Sequence, residues 1–221
     1  MQKITSSASE NFVKLIYRYE QSRGSTTKPG AIAKELGITN AAASEMARKL
    51  AGRNLIHYKK YQGMLLTEEG RKMALNILRK HRLWETFLYQ TFNFSLHEIH
   101  REAELLEHQT SDFLMEHLSM YLGNPQIDPH GDPIPGNDGK ISLNKEHIQL
   151  SMTSVGNTYE VTRLNSSDKE FFDFCLSNKI TIGSSLTVIK QYTQNKMTEI
   201  EINNKRLLLN ADIANLIYVK K

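Results

Sequence analysis

Cysteine, long apolar runs and proline are scarce in this chain of 221 residues, and each scarcity excludes a class of protein. Cys175 is the single cysteine, so one chain cannot build a disulfide framework or a zinc site from several thiolates. No stretch approaches the roughly 20 apolar residues that span a bilayer, and residues 1–12 lack the pattern of a signal peptide. We therefore expect a cytoplasmic protein with no membrane contact.

The net charge of +4 is distributed unevenly along the chain. Residues 1–80 contain 15 Lys and Arg against 6 Asp and Glu, which leaves 13 against 18 for residues 81–221. Neutralisation of phosphates supplies most of the non-specific affinity of a protein for DNA, so this asymmetry favours a DNA-binding front third. A basic surface that is merely solvated is the alternative.

The front third has the pattern of a winged helix-turn-helix. Apolar residues recur at helical spacing in a first helix that Ser9 caps, and a second helix begins at Thr27 as its cap. Gly37 then opens a tight turn before a third helix capped by Thr39 or Asn40. Two β-prone runs, 55–60 and 64–66, flank a tip that contains a glycine, which predicts a hairpin wing.

The third helix has the side chains of a helix that reads the major groove. Small residues allow close approach, and longer polar ones reach base edges, while basic residues on the wing would meet phosphates or the minor groove. The candidate DNA contacts are Thr39, Asn40, Ala41, Ala42, Ser44, Glu45, Arg48 and Lys49 on the helix and Lys59, Lys60 and Tyr61 on the wing.

The remainder of the chain divides into a helical region and a β-rich region. A long helix opens at 67–69, Ser95 and Glu98 form a capping box for the next helix, and four of the five prolines crowd between 125 and 135. Beyond them, β-prone runs at 158–164, 185–192, 197–202 and 217–219 and one helix at 168–177 predict a small β-barrel. We expect a mainly α protein of three domains, namely a winged-helix DNA-binding domain (1–72), a helical metal-binding and dimerisation domain with its Pro/Gly linker (73–140) and the barrel (141–221).

Histidines and glutamates recur at helical spacing in the helical region. His81 and Glu85 share a helix face, and the next helix repeats such residues at intervals of three and four. A solvated surface explains any one pair, but the whole set favours a metal site. Imidazole with carboxylate suits Mn(II), Fe(II), Co(II), Ni(II) or Zn(II). The candidate ligands are His81, Glu85, His100, Glu104, Glu107 and His108.

Four motifs resemble the family of the diphtheria toxin repressor and the manganese transport regulator, also called the iron-dependent repressor family. The motifs match in order and spacing, and the resemblance covers nearly the whole chain, including a C-terminal part that looks like the small barrel of longer members. They are Leu66-Thr67-Glu68-Glu69-Gly70, His81-Arg82-Leu83-Trp84-Glu85, His100 through His108, and Pro129-His130-Gly131-Asp132-Pro133-Ile134-Pro135.

The resemblance implies two neighbouring metal sites. His81, Glu85 and His100 would form one, and Glu104, Glu107 and His108 would form the other with a residue of the first helix. Glu104 stands where iron-responsive members usually have cysteine, which favours Mn(II) over Fe(II). Other divalent transition metals would substitute in vitro. The further ligand candidates are Asn11 and Glu10 on the first helix, where Lys14 replaces a carboxylate of some relatives, and Asp168 and Glu170 of the barrel.

The function that these patterns predict is a homodimeric repressor that binds palindromic operator DNA when loaded with metal and controls metal-uptake genes. Its partners would be double-stranded DNA and a second copy of itself, with no small organic substrate. One alternative is a carboxylate-bridged di-metal enzyme in a helical bundle. Such sites take Glu-x-x-His from two helices and Glu from two more, whereas here the ligands follow a winged-helix pattern and a basic front third. The other is a DNA-binding regulator that metal does not switch.

Overall fold

The computed structural model describes residues 6–23, 26–59, 62–141 and 147–221. The chain forms two compact units. The first unit comprises residues 1–81, 105–111 and 135–140, and the second comprises 82–104, 112–134 and 141–221. Within the described ranges, no helix is long and apolar enough to cross a membrane.

The winged helix-turn-helix predicted for the front third is confirmed in the first unit. Gly37 ends the second helix in the left-handed region, at φ +65°, and the Thr39 side chain caps the third helix by accepting from the Ala42 amide. The prediction that Thr27 caps the second helix is wrong, because the cap is Lys28 and Thr27 pairs instead with Met64 of the hairpin. The elements are α1 (Ser7–Arg23), α2 (Pro29–Leu36), α3 (Asn40–Gly52), β1 (Ile56–Lys59) and β2 (Gly63–Leu66).

Apolar side chains from each of these elements form the core of the head. Phe12 and Ile16 of α1, Leu50 of α3 and Met64 of β2 are fully buried. The next helix starts against the corner between α3 and β1, where a Cβ added to Gly70 would lie 1.9 Å from the Leu55 carbonyl oxygen. Only glycine allows the two backbones to approach so closely.

Three helices follow the wing. The capping box is confirmed, since the Ser95 amide donates to Glu98 Oε2 at 2.9 Å and the Glu98 amide donates to Ser95 Oγ at 3.4 Å. Beyond the third of these helices, the Pro/Gly-rich segment contains one isolated bridge between Ile127 and Pro133. The helices are α4 (Glu68–Phe92), α5 (Leu96–Leu106) and α6 (Asp112–Tyr121).

The C-terminal region is an antiparallel sheet with the strand order β3-β8-β4-β5-β6-β7. Buried residues of its strands and of α7, including Cys175, form one core. The strands and helices are β3 (Ile148–Gln149), a 3-10 turn (Leu150–Met152), β4 (Thr158–Leu164), α7 (Lys169–Ser177), β5 (Ser185–Tyr192), β6 (Met197–Ile202), β7 (Lys205–Asn210), α8 (Ala211–Ala214) and β8 (Ile217–Lys220).

The small β domain predicted for this region is confirmed, although its sheet is not closed into a barrel over the residues described. Its edge strands are β3, which has only two residues, and β7, and these two strands do not pair with each other. The sequence pattern located β4, β5 and β6 at their observed bounds. It missed β7, whose burial alternates weakly and which follows a tight turn with positive φ at Asn203 and Asn204.

Candidate metal centres and DNA-binding face

Glu107 is the centre of a buried polar cluster in the first unit. Its side chain is 0% exposed, and its Oε1 accepts from Lys14 Nζ at 2.6 Å. Its Oε2 lies 2.7 Å from His81 Nδ1. A carboxylate in such a place is stable only when cations or donors surround it, and α1 and α4 each supply one.

His108 joins this cluster to the start of α1. Its Nδ1 lies 2.6 Å from Glu10 Oε2, and its Nε2 lies 2.9 Å from Asn11 Oδ1 and 3.2 Å from Glu107 Oε1. Both predicted candidates on the first helix therefore contact the same imidazole. We call Glu10, Asn11, Lys14, His81, Glu107 and His108 the first cluster.

The donor set of the first cluster suits a cation. A neutral imidazole has only one N–H, yet both ring nitrogens of His108 face oxygen acceptors. One of these contacts is therefore unfavourable unless the ring gains a proton or a metal ion lies between the nitrogen and its oxygens. Nitrogen and oxygen ligands without sulfur fit Mn(II) and Fe(II).

A second cluster lies within the second unit and centres on Glu85. Glu85 Oε1 lies 3.0 Å from His100 Nδ1, and its Oε2 lies 3.4 Å from His130 Nδ1. Ligand atoms of Glu85, Asp128 and His130, all buried, fall within 4.8 Å of one another. We call Glu85, His100, Asp128 and His130 the second cluster.

The ring of His130 is oriented as a ligand requires. Its Nε2 lies 3.2 Å from the Leu96 carbonyl oxygen, which can only accept, so Nε2 carries the proton of that bond. In the neutral ring, Nδ1 then directs a lone pair toward Glu85, and a cation between the two would satisfy both. Histidines that bind metals commonly donate their other N–H to a backbone carbonyl in this way.

The electrostatics of the second cluster also reflect its burial. Burial raises the pKa of Asp128 to about 8, and the negative charges of Glu85 and Asp132 add to the effect. Burial lowers the pKa of His130, but the hydrogen bond and charge of Glu85, with the charges of both aspartates, outweigh it and raise that pKa. Excess negative charge in a buried pocket favours a cation.

The second cluster is held by a loop that docks onto the C-terminal sheet. Asp128 Oδ1 accepts the amides of His130 and Asp132, which fixes the turn. The Leu164 amide of β4 donates to the His130 carbonyl at 2.9 Å. A Cβ on Gly131 would lie 2.0 Å from the Thr162 carbonyl oxygen, so glycine is required for this contact.

Charged side chains reinforce the same docking. Asp132 Oδ1 forms ion pairs with Arg163 of β4 at 2.8 Å and with Arg82 of α4 at 3.3 Å. Asp128 also lies 3.6 Å from Arg82. The arginines offset part of the negative charge of the loop without entering the ligand set.

The predicted metal ligands are thus distributed over both units. His81, Glu107, His108, Glu10 and Asn11 meet in the first unit, and Glu85 meets His100 in the second. The half-buried Glu104 belongs to the second unit, so its membership in a site with Glu107 and His108 stays a prediction, as does a common site for His81, Glu85 and His100.

Two candidate residues of the β-region lie apart from these clusters. Asp168 and Glu170 are exposed, and Asp168 caps α7 by accepting the Glu170 and Phe171 amides. In the described part of the chain, neither belongs to a group of three possible ligands.

The sequence analysis did not identify Asp128 and His130 as candidate ligands. The prolines around them predicted a linker, although a histidine and two aspartates within five residues were a usable signal.

The predicted DNA-binding face of α3 is accessible. Thr39, Asn40, Ala41, Ala42, Glu45, Arg48 and Lys49 are exposed, and Ser44 is partly exposed. Glu45 and Lys49 form an exposed ion pair at 3.0 Å, and the hydrogen bond from Lys49 lowers the pKa of Glu45. Lys59 is exposed on β1, whereas Lys60 and Tyr61 lie outside the described residues.

An aromatic and apolar surface lies on the second unit. Phe92 at the end of α4 and Tyr121 at the end of α6 both contact the Phe87 ring, at centroid distances of 6.0 and 6.1 Å. Phe113, Tyr121, Met120 and Phe92 are 75, 74, 57 and 54% exposed. Groups of large exposed apolar side chains are typical of interaction surfaces.

Comparison with known families matches nearly the whole chain. Residues 4–64 match the N-terminal DNA-binding domain of the iron-dependent repressors, 67–136 match the metal-binding and dimerisation domain of the same proteins, and 148–221 match the FeoA domain. The repressor family consists of DNA-binding regulators, which confirms the expectation that the chain is not an enzyme.

Individual relatives agree with these matches. The diphtheria toxin repressor of Corynebacterium efficiens is 25% identical over 224 residues, covering 96% of this chain and 94% of that protein. A manganese-dependent transcriptional repressor solved in complex with manganese is 33% identical with a TM-score of 0.89, covering 96% of this chain and 99% of that one. The manganese regulator SloR is 30% identical with a TM-score of 0.80, covering 96 and 98%. The chain therefore belongs to the iron-dependent repressor family, as its motifs indicated.

Proposed function

We propose that this protein is a repressor that binds operator DNA when loaded with Mn(II) and thereby controls metal-uptake genes. One observation carries the proposal. Helix α1 packs in the winged-helix head and also supplies Glu10 and Asn11 to His108. A cation held there would fix α1, and with it the geometry of the DNA-binding head.

Two ligand sets would hold metal. In the first unit these are His81, Glu107, His108 and the Glu10 or Asn11 oxygen, to which the family resemblance adds Glu104. In the second unit they are Glu85, His100, His130 and Asp128. When bound, the ion supplies positive charge that joins carboxylates and imidazoles from separate chain segments. Lys14 Nζ donates to Glu107 in the first set, and the Leu96 carbonyl would keep His130 in the tautomer that binds.

The donor chemistry supports Mn(II) first and Fe(II) second. Both clusters offer only nitrogen and oxygen, and Cys175, the one thiol, is buried in the core of the C-terminal sheet. Affinity alone does not select manganese, because Mn(II) is the weakest binder of the first-row series. The coordination geometry of the site and the availability of the metal must therefore select it. Manganese-dependent repressors are among the solved relatives, and the family itself is named for iron. Other divalent metals would load in vitro.

We propose a cytoplasmic homodimer as the active form. The family's helical domain is a dimerisation domain, and the exposed surface around Phe113 and Tyr121 has the chemistry of a symmetric interface. Two copies of α3 would then reach the two halves of a palindrome. The domain bounds proposed from the sequence, 1–72, 73–140 and 141–221, have the support of the three family matches.

The decisive experiment is a DNA-binding titration at buffered free Mn(II). The probe is duplex DNA that the wild-type protein selects from a random pool in the presence of Mn(II). We expect metal to tighten binding by 10-fold or more, within the usual range of allosteric coupling. Glu10→Gln should weaken this effect. Glu160→Gln, which changes a partly exposed residue of the C-terminal sheet, should leave it unchanged.

Three outcomes would decide against the proposal. DNA binding that is equal with Mn(II) and after chelation would indicate a regulator that metal does not switch. Absence of any selected DNA would remove the repressor function altogether. Turnover of oxygen or peroxide by the iron-loaded protein would instead support a di-metal enzyme.

A further inference from the structure

Helix α1 makes functional contacts at both of its ends. Near its start, Glu10 and Asn11 contact His108, and in its last turn Glu20 contacts the wing. Ten residues separate Glu10 from Glu20, a rise of about 15 Å along the helix axis. A single uninterrupted helix therefore joins the first cluster to the base of the wing.

Glu20 uses both of its carboxylate oxygens at the wing. Oε1 accepts the backbone amide of Leu66, the last residue of β2, at 2.6 Å, and Oε2 accepts from Arg71 Nη2 at 2.6 Å. The Glu20 side chain is only 9% exposed. Arg71 also lies over the Tyr17 ring of α1, 5.6 Å from its centroid. Short hydrogen bonds to an ionised, poorly solvated carboxylate are the strong ones.

The outer edge of β2 has a second attachment. Met64 exchanges two backbone hydrogen bonds with Thr27, at 2.8 and 3.1 Å. The amides of Met64 and Leu66 therefore both point away from β1, toward the segment before α2 and toward α1. Glu20 is the side chain that ties this edge directly to α1.

We propose that Glu20 is a positioning residue that makes the wing move with α1, so that metal binding at the first cluster controls the contacts of the wing with DNA. This inference rests on the proposed function. Lys59 lies on the wing and is exposed, so its reach to a phosphate depends on where α1 holds β2. Metal binding then changes the DNA contacts of the wing in addition to those of α3.

The test compares Glu20→Gln with a matched control in the full-length protein. Glutamine keeps an oxygen for the Leu66 amide but loses the charge that binds Arg71. The control is Glu35→Gln, because Glu35 forms an exposed ion pair with Arg18 of α1 at 3.5 Å. Three quantities are measured for each variant. They are the Mn(II) affinity in the absence of DNA, the affinity for the selected DNA with and without Mn(II), and the salt dependence of DNA binding.

We expect Glu20→Gln to bind Mn(II) normally without DNA but to lose about 10-fold of the metal-dependent gain in DNA affinity. The slope of log K against log salt should fall by about one for each phosphate contact that the wing loses. Glu35→Gln should match the wild type in all three assays.

The outcomes separate this inference from the proposed function. If wild-type DNA binding ignores Mn(II), the proposed function fails before Glu20 is considered. If the wild type responds to metal and Glu20→Gln responds equally with the same salt slope, the positioning role is wrong. If Glu20→Gln loses DNA and Mn(II) binding together with a lower unfolding temperature, Glu20 only stabilises the head. Arg71→Gln, which removes the same ion pair from the other side, should reproduce the salt-slope change.

Discussion

The two clusters differ in how the chain builds them. The first takes its residues from α1, from α4 and from the turn just after α5, and it contains Lys14, which donates to Glu107. The second depends on a loop that a backbone hydrogen bond and an ion pair attach to β4, and its His130 is oriented by a carbonyl. A cluster that includes a helix of the DNA-binding head is suited to switching, whereas a loop-built cluster is suited to holding its own unit together.

Among the variants that test this comparison, Gly131→Ala has the largest expected effect. Gly131 has a φ of +87°, and its added Cβ would meet the Thr162 carbonyl, so we expect a loss of about 3 kcal/mol in the free energy of unfolding from strain and overpacking. Gly139→Ala is the control, because Gly139 has a similar φ of +71° with nothing within 4 Å of its Cβ. Urea denaturation measures both. Equal losses would mean that the loop does not depend on its fit to β4.

An intermediate effect is expected for His130→Gln. Loss of the imidazole should weaken Mn(II) binding at the second cluster about 100-fold, while binding at the first cluster persists. Equilibrium dialysis with metal analysis would then count one ion fewer per chain than in the wild type. His117→Gln, on the exposed face of α6, is the control. An unchanged count would exclude His130 as a ligand.

The sequence patterns predicted the helices and the central strands. They also identified the candidate ligands of the first cluster, but not Asp128 and His130 of the second. Helical spacing placed His81 on α4, which the structure confirms, whereas α5 ends at Leu106, so Glu107 and His108 lie in the turn just after it and not on the predicted helix. Asp128 and His130 could not be assigned in this way, because their position depends on contacts with β4, more than 30 residues away. The open sheet was missed for the same reason, since closure depends on which edge strands meet.

The smallest effect is expected for Lys14→Met. The Lys14 ammonium and a bound divalent ion both interact with Glu107, so removal of the ammonium should tighten Mn(II) binding at the first cluster about 10-fold. The apo protein should become less stable, since the fully buried Glu107 would lose a counter-charge. Competition with a fluorescent chelator measures the affinity. Weaker Mn(II) binding in this variant would show that Lys14 positions the ligands instead of competing with the ion.

Gly70 closes the Leu66-Thr67-Glu68-Glu69-Gly70 motif and lies against the Leu55 carbonyl. Steric contact therefore requires glycine at this position of the motif, in the first turn of α4. A search for proteins of the same architecture could weigh this glycine above the variable residues around it. A chain with any larger residue there must connect its head to the following helix by a different path.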